Sequence, residues 1–251
     1  MSVFQPKILY FDSLPSTNTE AARHAQQGAP EGVIIISREQ TAGRGRLQRQ
    51  WASPAGAGLY FSIILRPRQE LALWSLLPLL GALAVHDALR ESCALETDIK
   101  WPNDILFGER KLCGILAETI ETTTGRAVII GIGINLRSDA FPEDLRDVAT
   151  SIADATGAAG AQETVLQSLV QALANRYEMF QTDDGAARIV RDWSHHSSYA
   201  NGKNVLVTSI GETFRGITRG LESDGALRVE TEAGEIRTVR AGDVTSVRTS
   251  S

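Results

Sequence analysis

Apolar and polar positions change period several times along the chain, and each change marks an element. Alternation over Ile8-Leu9-Tyr10-Phe11 predicts a strand. Ser16-Thr17-Asn18-Thr19-Glu20 follows, with Thr17 and Glu20 at capping-box spacing and Gly28 as a stop, so a helix is expected between them. The β-branched run Val33–Ser37 and the apolar run Leu59–Leu65 predict two more strands. Between them, Thr41 to Trp51 has no period and reads as a long loop of glycine and arginine. Residues 75–91 predict a helix. The apolar stretch Leu71–Val85 contains Pro78 and runs into His86 and Asp87, which leaves it short of the ~20 residues needed to cross a bilayer. It is expected to lie in a protein core. Strands are predicted at Ile99–Trp101, stopped by Pro102, and at 114–119 and 127–134. A helix over 163–180 carries Val165, Leu169, Leu173, Tyr177 and Phe180 on one stripe. Strands clustered this way, with helices packed on them, indicate an α+β sheet and not a βαβ repeat.

Beyond His195 the pattern shifts. His195 to Gly202 is polar and turn-rich, and only short strands follow, at 204–208, 213–221, 226–231 and 236–247. A boundary is therefore expected at residue 201, with a large domain over 1–200 and a small β-barrel over 201–251. About 50 residues are marginal for independent stability, so the second unit should dock on the first.

Composition narrows the function classes. With 43% apolar and 22% charged residues the 251-residue chain is neither disordered nor of low complexity. A net charge of -5 argues against bulk binding of nucleic acid or an anionic membrane. The 25 basic residues are 21 Arg and only four Lys, namely Lys7, Lys100, Lys111 and Lys203. Cys93 and Cys113 form no disulfide framework or cysteine-rich zinc motif, and the N-terminus lacks a secretory h-region, so a reducing cytoplasm is expected.

Three segments carry candidate chemistry. Gly43 and Gly45 permit positive φ and close backbone approach, while Arg44, Arg46 and Arg49 crowd positive charge that a polyphosphate or carboxylate would neutralise; the bland reading is a solvated basic loop. In Lys100-Trp101-Pro102-Asn103-Asp104 the last two residues should start a tight turn able to hold Mg²⁺ or a phosphate, or simply turn the chain. Lys111, ahead of an apolar strand, suits a point charge held against two anions, or a snorkelling strand end. Gly131-Ile132-Gly133-Ile134-Asn135-Leu136 fails as a dinucleotide fingerprint, since Leu136 replaces the third glycine and no helix follows. His195-His196 reads as linker, not metal site. Ser16-Thr17-Asn18 is a helix cap that could also hydrogen-bond a small polar ring.

The order and spacing of Gly43-Arg44-Gly45-Arg46…Arg49-Gln50-Trp51, Lys100-Trp101-Pro102-Asn103-Asp104, Lys111 to Leu116 and Gly131 to Asn135 resemble the biotin protein ligase family. The likeness extends through Trp193…Gly202…Val205. It implies a class II synthetase-like catalytic domain, a mixed and largely antiparallel sheet packed with helices, followed by an SH3-like barrel. It implies activation of biotin with MgATP to biotinyl-5′-AMP and transfer to a lysine of the biotin carboxyl carrier domain of acetyl-CoA carboxylase or a related carboxylase. Lys111 and Arg46 would be catalytic. Ser16, Thr17, Asn18, Gln40, Arg44, Gly45 and Gly114, with Arg46 and Lys111, would hold biotin. Arg49, Lys100 and Asn103 would meet the triphosphate, Trp51 and Asn135 the adenine, and Asp104 the Mg²⁺. Gln48 departs from the family pattern, which has glycine there. Residues 1–15 leave no room for the DNA-binding module of bifunctional members, so the resemblance implies a ligase without DNA or membrane partners, monomeric or homodimeric. Two other classes compete: a lipoate or octanoate ligase, whose RRxSGGG-like segment is missing, and a non-catalytic sensor of biotinyl-adenylate or a nucleotide.

Overall fold

A computed structural model describes residues 6–158, 162–209 and 211–247. Its chain order is β1 (Lys7–Phe11), α1 (Thr17–Gln26), β2 (Val33–Ser37), β3 (Gly58–Leu65), α2 (Leu77–Cys93), β4 (Asp98–Lys100), β5 (Asp104–Phe107), β6 (Arg110–Thr122) and β7 (Gly125–Asn135). Then come α3 (Ile152–Thr156), α4 (Gln162–Phe180), α5 (Gly185–His195), β8 (Asn201–Ser209), β9 (Glu212–Leu221), β10 (Leu227–Thr231), β11 (Ile236–Val239) and β12 (Asp243–Ser246).

The first seven strands make one mixed sheet in the order β1-β2-β3-β7-β6-β5-β4, parallel between β1 and β2 and antiparallel elsewhere. Its central strands read as unbroken apolar runs because both faces are covered: every residue of β2 and β3 is buried. On one face α1 sets Ala21 and Ala25 against Val33, Ile35, Ile64 and Ile129. On the other, α2 carries eleven buried residues, packs on α4 and α5, and brings Gly81 against Ile115 and Ile130, where a Cβ would lie 3.3 Å from Ile115. Each buried Leu or Ile in this layer contributes about 1.5–3 kcal/mol. By length and composition, Leu71–Cys93 is apolar enough to cross a membrane, yet it is largely buried as the core helix of this layer.

Several expectations are corrected. The capping box at α1 does not form: Ser16 is the N-cap without a side-chain bond, Thr17 Oγ1 donates to Gln40, and Glu20 pairs with Arg23. The 75–91 helix is a 3₁₀ turn over Leu71–Leu76 running into α2. Asp104 starts strand β5 opposite Gly114 instead of a turn. Strand β5 and helices α3 and α5 were not anticipated, and the strand expected over 236–247 divides at Arg240-Ala241-Gly242.

Strands β8–β12 form a second, antiparallel sheet in the order β11-β10-β9-β8-β12. Val205, Val207, Leu227, Val229, Val239 and Val244 from it belong to the same continuous core as the large sheet. Trp101 Nε1 donates to the Gly225 carbonyl at 3.0 Å and Ser75 Oγ to the Asp224 carbonyl at 2.7 Å, which fastens the β9–β10 turn to the loop before β5 and to the start of the helical layer.

Candidate active site

The sheet presents a glycine floor. Gly131 and Gly133 on β7 and Gly114 on β6 point toward the same face, and side chains from elsewhere lie flat on them. A Cβ at Gly131 would stand 2.0 Å from Asn18 Oδ1, one at Gly133 2.4 Å from Trp51 Nε1, and one at Gly114 3.0 Å from the Trp51 ring and 3.2 Å from Lys111 Cε. The GxGxN segment that fails as a dinucleotide motif is thus a steric clearance. It lets three polar side chains approach the backbone of a central strand pair.

At one end of this floor lies a buried polar cluster. Gln40 Oε1 accepts from Thr17 N–H at 2.8 Å and from Thr17 Oγ1 at 3.1 Å, while Gln40 Nε2 donates to Ser53 Oγ at 2.8 Å. Ser62 Oγ lies 2.7 Å from both Thr17 Oγ1 and Asn18 Oδ1. Asn18 Nδ2 donates to Glu118 Oε2 at 2.7 Å and the Leu116 carbonyl at 3.3 Å. Buried hydroxyls and amides are costly unless bonded, and here they satisfy one another along the cavity wall.

The arginine loop roofs the floor as a small hairpin, closed by Trp51 N–H to the Gly43 carbonyl at 2.9 Å and Gly45 N–H to the Arg49 carbonyl at 2.7 Å. Neither glycine supplies positive φ. Gly43 is needed because a Cβ would stand 2.4 Å from the Trp51 carbonyl oxygen, and the left-handed residues are Leu47 (φ 53°) and Gln48 (φ 61°). The glycine of the family pattern at position 48 therefore has a backbone reason. Arg44 pairs with Glu118 at 2.9 Å, and Arg46 and Arg49 both reach Asp243 of β12.

At the charged end Lys111 Nζ stands 2.6 Å from Asp104 Oδ1 and 5.3 Å from the centre of the Trp51 ring. Arg46 Nη1 donates to Asn103 Oδ1 at 3.3 Å, and Asn103 is held by its own donation to the Ile115 carbonyl at 2.7 Å. Burial pushes the Arg46 guanidinium below its ordinary value against the pull of Asp243 and Asp104, and burial likewise lowers the Lys100 ammonium. Desolvated cations of this kind are poised to gain from an incoming anion.

Two cavities meet here. Ser16, Thr17, Asn18, Gln40, Arg44, Gly45, Arg46, Lys111 and Gly114, the complete set expected around biotin, line the first, together with Asn103. Arg49, Trp51, Lys100, Lys111 and Asn135 line the second. Arg49, Trp51, Asp104 and Lys111 border both, so Lys111 stands at the junction. The Asn135 amide donates to the carbonyls of Thr150 at 2.9 Å and Lys111 at 3.4 Å, leaving only its oxygen for a ligand. Asp104 is a single carboxylate already facing Lys111, and among the described residues no cluster of three or more His, Cys, Asp or Glu could cage a metal ion. The sequence pattern missed Ser53, Ser62, Glu118 and Asp243, none of which sits in a recognisable spacing.

Comparison with known proteins identifies the family. Residues 10–135 match the Biotin/lipoate A/B protein ligase family, and residues 201–245 match the Biotin protein ligase C terminal domain. The bifunctional ligase/repressor BirA of Bacillus subtilis is 38% identical over 240 residues, 94% of this chain and 73% of that protein. The biotin--[acetyl-CoA-carboxylase] ligase of Paracoccus denitrificans is 35% identical over 227 residues, 87% of this chain and 92% of the relative. The biotin protein ligase of Aquifex aeolicus, solved in complex with biotin and ATP, superposes with a TM-score of 0.82 at 29% identity, over 97% of this chain and 99% of that one. The chain belongs to the biotin protein ligases, within the biotin/lipoate A/B protein ligase family.

Proposed function

We propose that this chain is an ATP-dependent biotin protein ligase. It joins biotin to AMP with release of pyrophosphate, then transfers the biotinyl group to a lysine of a biotin carboxyl carrier domain. The observation that carries the reading is the junction of two cavities at one ammonium, Lys111, with Arg46 beside it. In the first step a biotin carboxylate oxygen attacks the α-phosphorus and the α–β bridging oxygen leaves with pyrophosphate. Two anions must approach, so fixed cations supply much of the stabilisation without a protein nucleophile. Lys111 and Arg46 serve that role. In the second step a carrier amine attacks the acyl carbon and AMP leaves with the anhydride oxygen.

Ser16, Thr17, Asn18, Gln40, Arg44, Gly45 and Gly114 hold the ureido end and wall of the biotin site in this reading, while Arg49, Lys100 and Asn103 meet phosphates and Trp51 and Asn135 meet adenine. Mg²⁺ would neutralise the triphosphate, with Asp104 as its one protein oxygen; this fits an ion that keeps waters and phosphates as its remaining ligands. The roof formed by residues 43–51 excludes water from the adenylate. We assign 1–200 to a class II synthetase-like catalytic domain and 201–251 to an SH3-like barrel, supported by the two sheets and by the C-terminal family match. The carrier of an acetyl-CoA carboxylase is the partner suggested by the relatives' names. Two free cysteines suit a cytoplasmic site, and either a monomer or a homodimer is compatible with the sheet, whose β6 runs past β5.

The match of residues 201–245 favours biotin over lipoate or octanoate. Incubation with biotin, MgATP and an apo-carrier domain, read by intact mass, tests the proposal. A biotinyl adduct on the carrier lysine is expected; no adduct, or an adduct only with lipoate or octanoate, overturns it.

A further inference from the structure

One acidic side chain outside the assigned set bonds two residues that line the first cavity, Asn18 and Arg44. Glu118 stands on β6 past the last residue that β5 pairs, Gly114. Its Oε2 accepts from Asn18 Nδ2 at 2.7 Å and from Arg44 Nη2 at 2.9 Å. The other Asn18 contact on that nitrogen is the Leu116 carbonyl at 3.3 Å. A carboxylate and a carbonyl carry no hydrogens, so only the NH₂ group of the amide can face them. Oδ1 is thereby turned the opposite way, 2.7 Å from Ser62 Oγ and over Gly131, which forms part of the cavity lining. Asn18 is itself buried, 4% exposed, so this orientation is decided inside the protein and not by solvent.

We propose that Glu118 is a positioning residue for biotin. It locks the Asn18 amide so that Oδ1 faces the ureido N–H donors, and it couples that lock to the seating of Arg44 and hence of the loop above. The inference rests on the reading of this cavity as the biotin site. It places the effect of Glu118 on biotin binding, away from ATP and from the chemical step.

The test uses the full chain and biotin-dependent exchange of labelled pyrophosphate into ATP, with KM for biotin, KM for ATP and kcat determined separately and the thermal midpoint recorded. Glu118→Ala should raise KM for biotin about tenfold, the loss of one charge-assisted hydrogen bond, while KM for ATP and kcat stay within about twofold. Glu118→Gln keeps an acceptor but loses the charge facing Arg44, and should fall between. Combined with Arg44→Ala, the Glu118→Ala effect on KM for biotin should be smaller than in the unaltered background, because part of it runs through that arginine. An unchanged KM for biotin, an equal rise in KM for ATP, or a loss of thermal midpoint in both Glu118 variants that accounts for the change would overturn the role. If the unaltered chain shows no biotin-dependent exchange, the ligase reading itself falls; if it does and the Glu118 variants match it, only this inference falls.

Discussion

In the proposed reaction Lys111 must serve two anions that repel each other. The ammonium is compact, stands 2.6 Å from Asp104, and lies over the Trp51 ring at the mouth of both cavities. Lys111→Ala should lower kcat/KM for biotin-dependent pyrophosphate exchange by about 10²–10³, the usual loss for one preorganised charge donor. Lys111→Arg should recover little, since the planar fork does not reproduce a point charge beside Asp104; full activity in the alanine variant would remove Lys111 from the mechanism. The glycine floor makes a second claim at this scale. Gly131→Ala places a methyl group 2.0 Å from Asn18 Oδ1 and must displace the amide, so KM for biotin should rise by about tenfold or more. Gly133→Ala meets the Trp51 ring instead and should weigh on KM for ATP; equal effects of the two on both substrates would show that the floor has no division of labour. Arg46 and Lys111 stand out as candidates because they fall in linked motifs, whereas Thr17 and Asn18 read first as a helix cap and Gln40 enters only through the resemblance. Ser62, Glu118 and Asp243 do not stand out, because their partners stand 44, 100 and 194 residues away and a single polar residue in a strand carries no spacing.

The arginine loop is the element whose local chemistry departs from its geometry. Leu47 and Gln48 both sit at positive φ, and Leu47 leaves its side chain 61% exposed at the tip. What holds the turn is the hairpin closure and the pairing of Arg46 and Arg49 with Asp243. Gln48→Gly removes a left-handed penalty of about 1 kcal/mol and adds a comparable chain entropy, so the thermal midpoint should move by less than about 2 °C. A β-branched residue fits worse. Gln48→Val should lower the midpoint by about 2–4 °C and speed tryptic cleavage between Arg44 and Arg49, and a valine variant as protected as the parent would refute the strained turn. Elements differed in legibility for similar physical reasons. The strands β2 and β3 announce themselves because burial on both faces demands continuous apolar residues. The cap of α1 misled because Gln40, distant in sequence, takes the hydroxyl that a local capping rule assigns to the helix. Strand β5 is four residues long, too short for a period to show, whereas the three-residue β4 is marked by the Pro102 that stops it.

At the scale of the molecule the two sheets share one core, and that continuity has consequences for how the protein unfolds. Valines of the C-terminal sheet pack in the same cluster as α2 and the large sheet, so calorimetry should show a single cooperative transition; two resolved transitions would mean that the units are energetically separate. A histidine pair lies where α2, the end of α5 and β4 meet. His86 of α2 and His196 at the end of α5 face each other with ring centres 4.4 Å apart, His86 Nδ1 is 2.9 Å from Thr97 Oγ1, and the His196 carbonyl accepts from Ile99 N–H on β4. Around them stand Asp87 and Arg90 from α2, Glu96 before β4, His195 from α5 and Arg176 from α4. Burial pushes both imidazoles below the ordinary 6.5, and a positive His196 further opposes protonation of His86, as a positive His195 does that of His196. The unfolded chain therefore binds these protons more readily than the folded one. Their contribution to stability is complete above pH 6.5 and is lost progressively as the pH falls toward the lowered folded values. Carboxylates titrate mostly below this window, so the thermal midpoint should fall between pH 7 and pH 5, and His86→Gln combined with His196→Gln should remove about half or more of that fall. If the double variant keeps the parent's pH dependence, the histidine pair is not where the acid sensitivity lies.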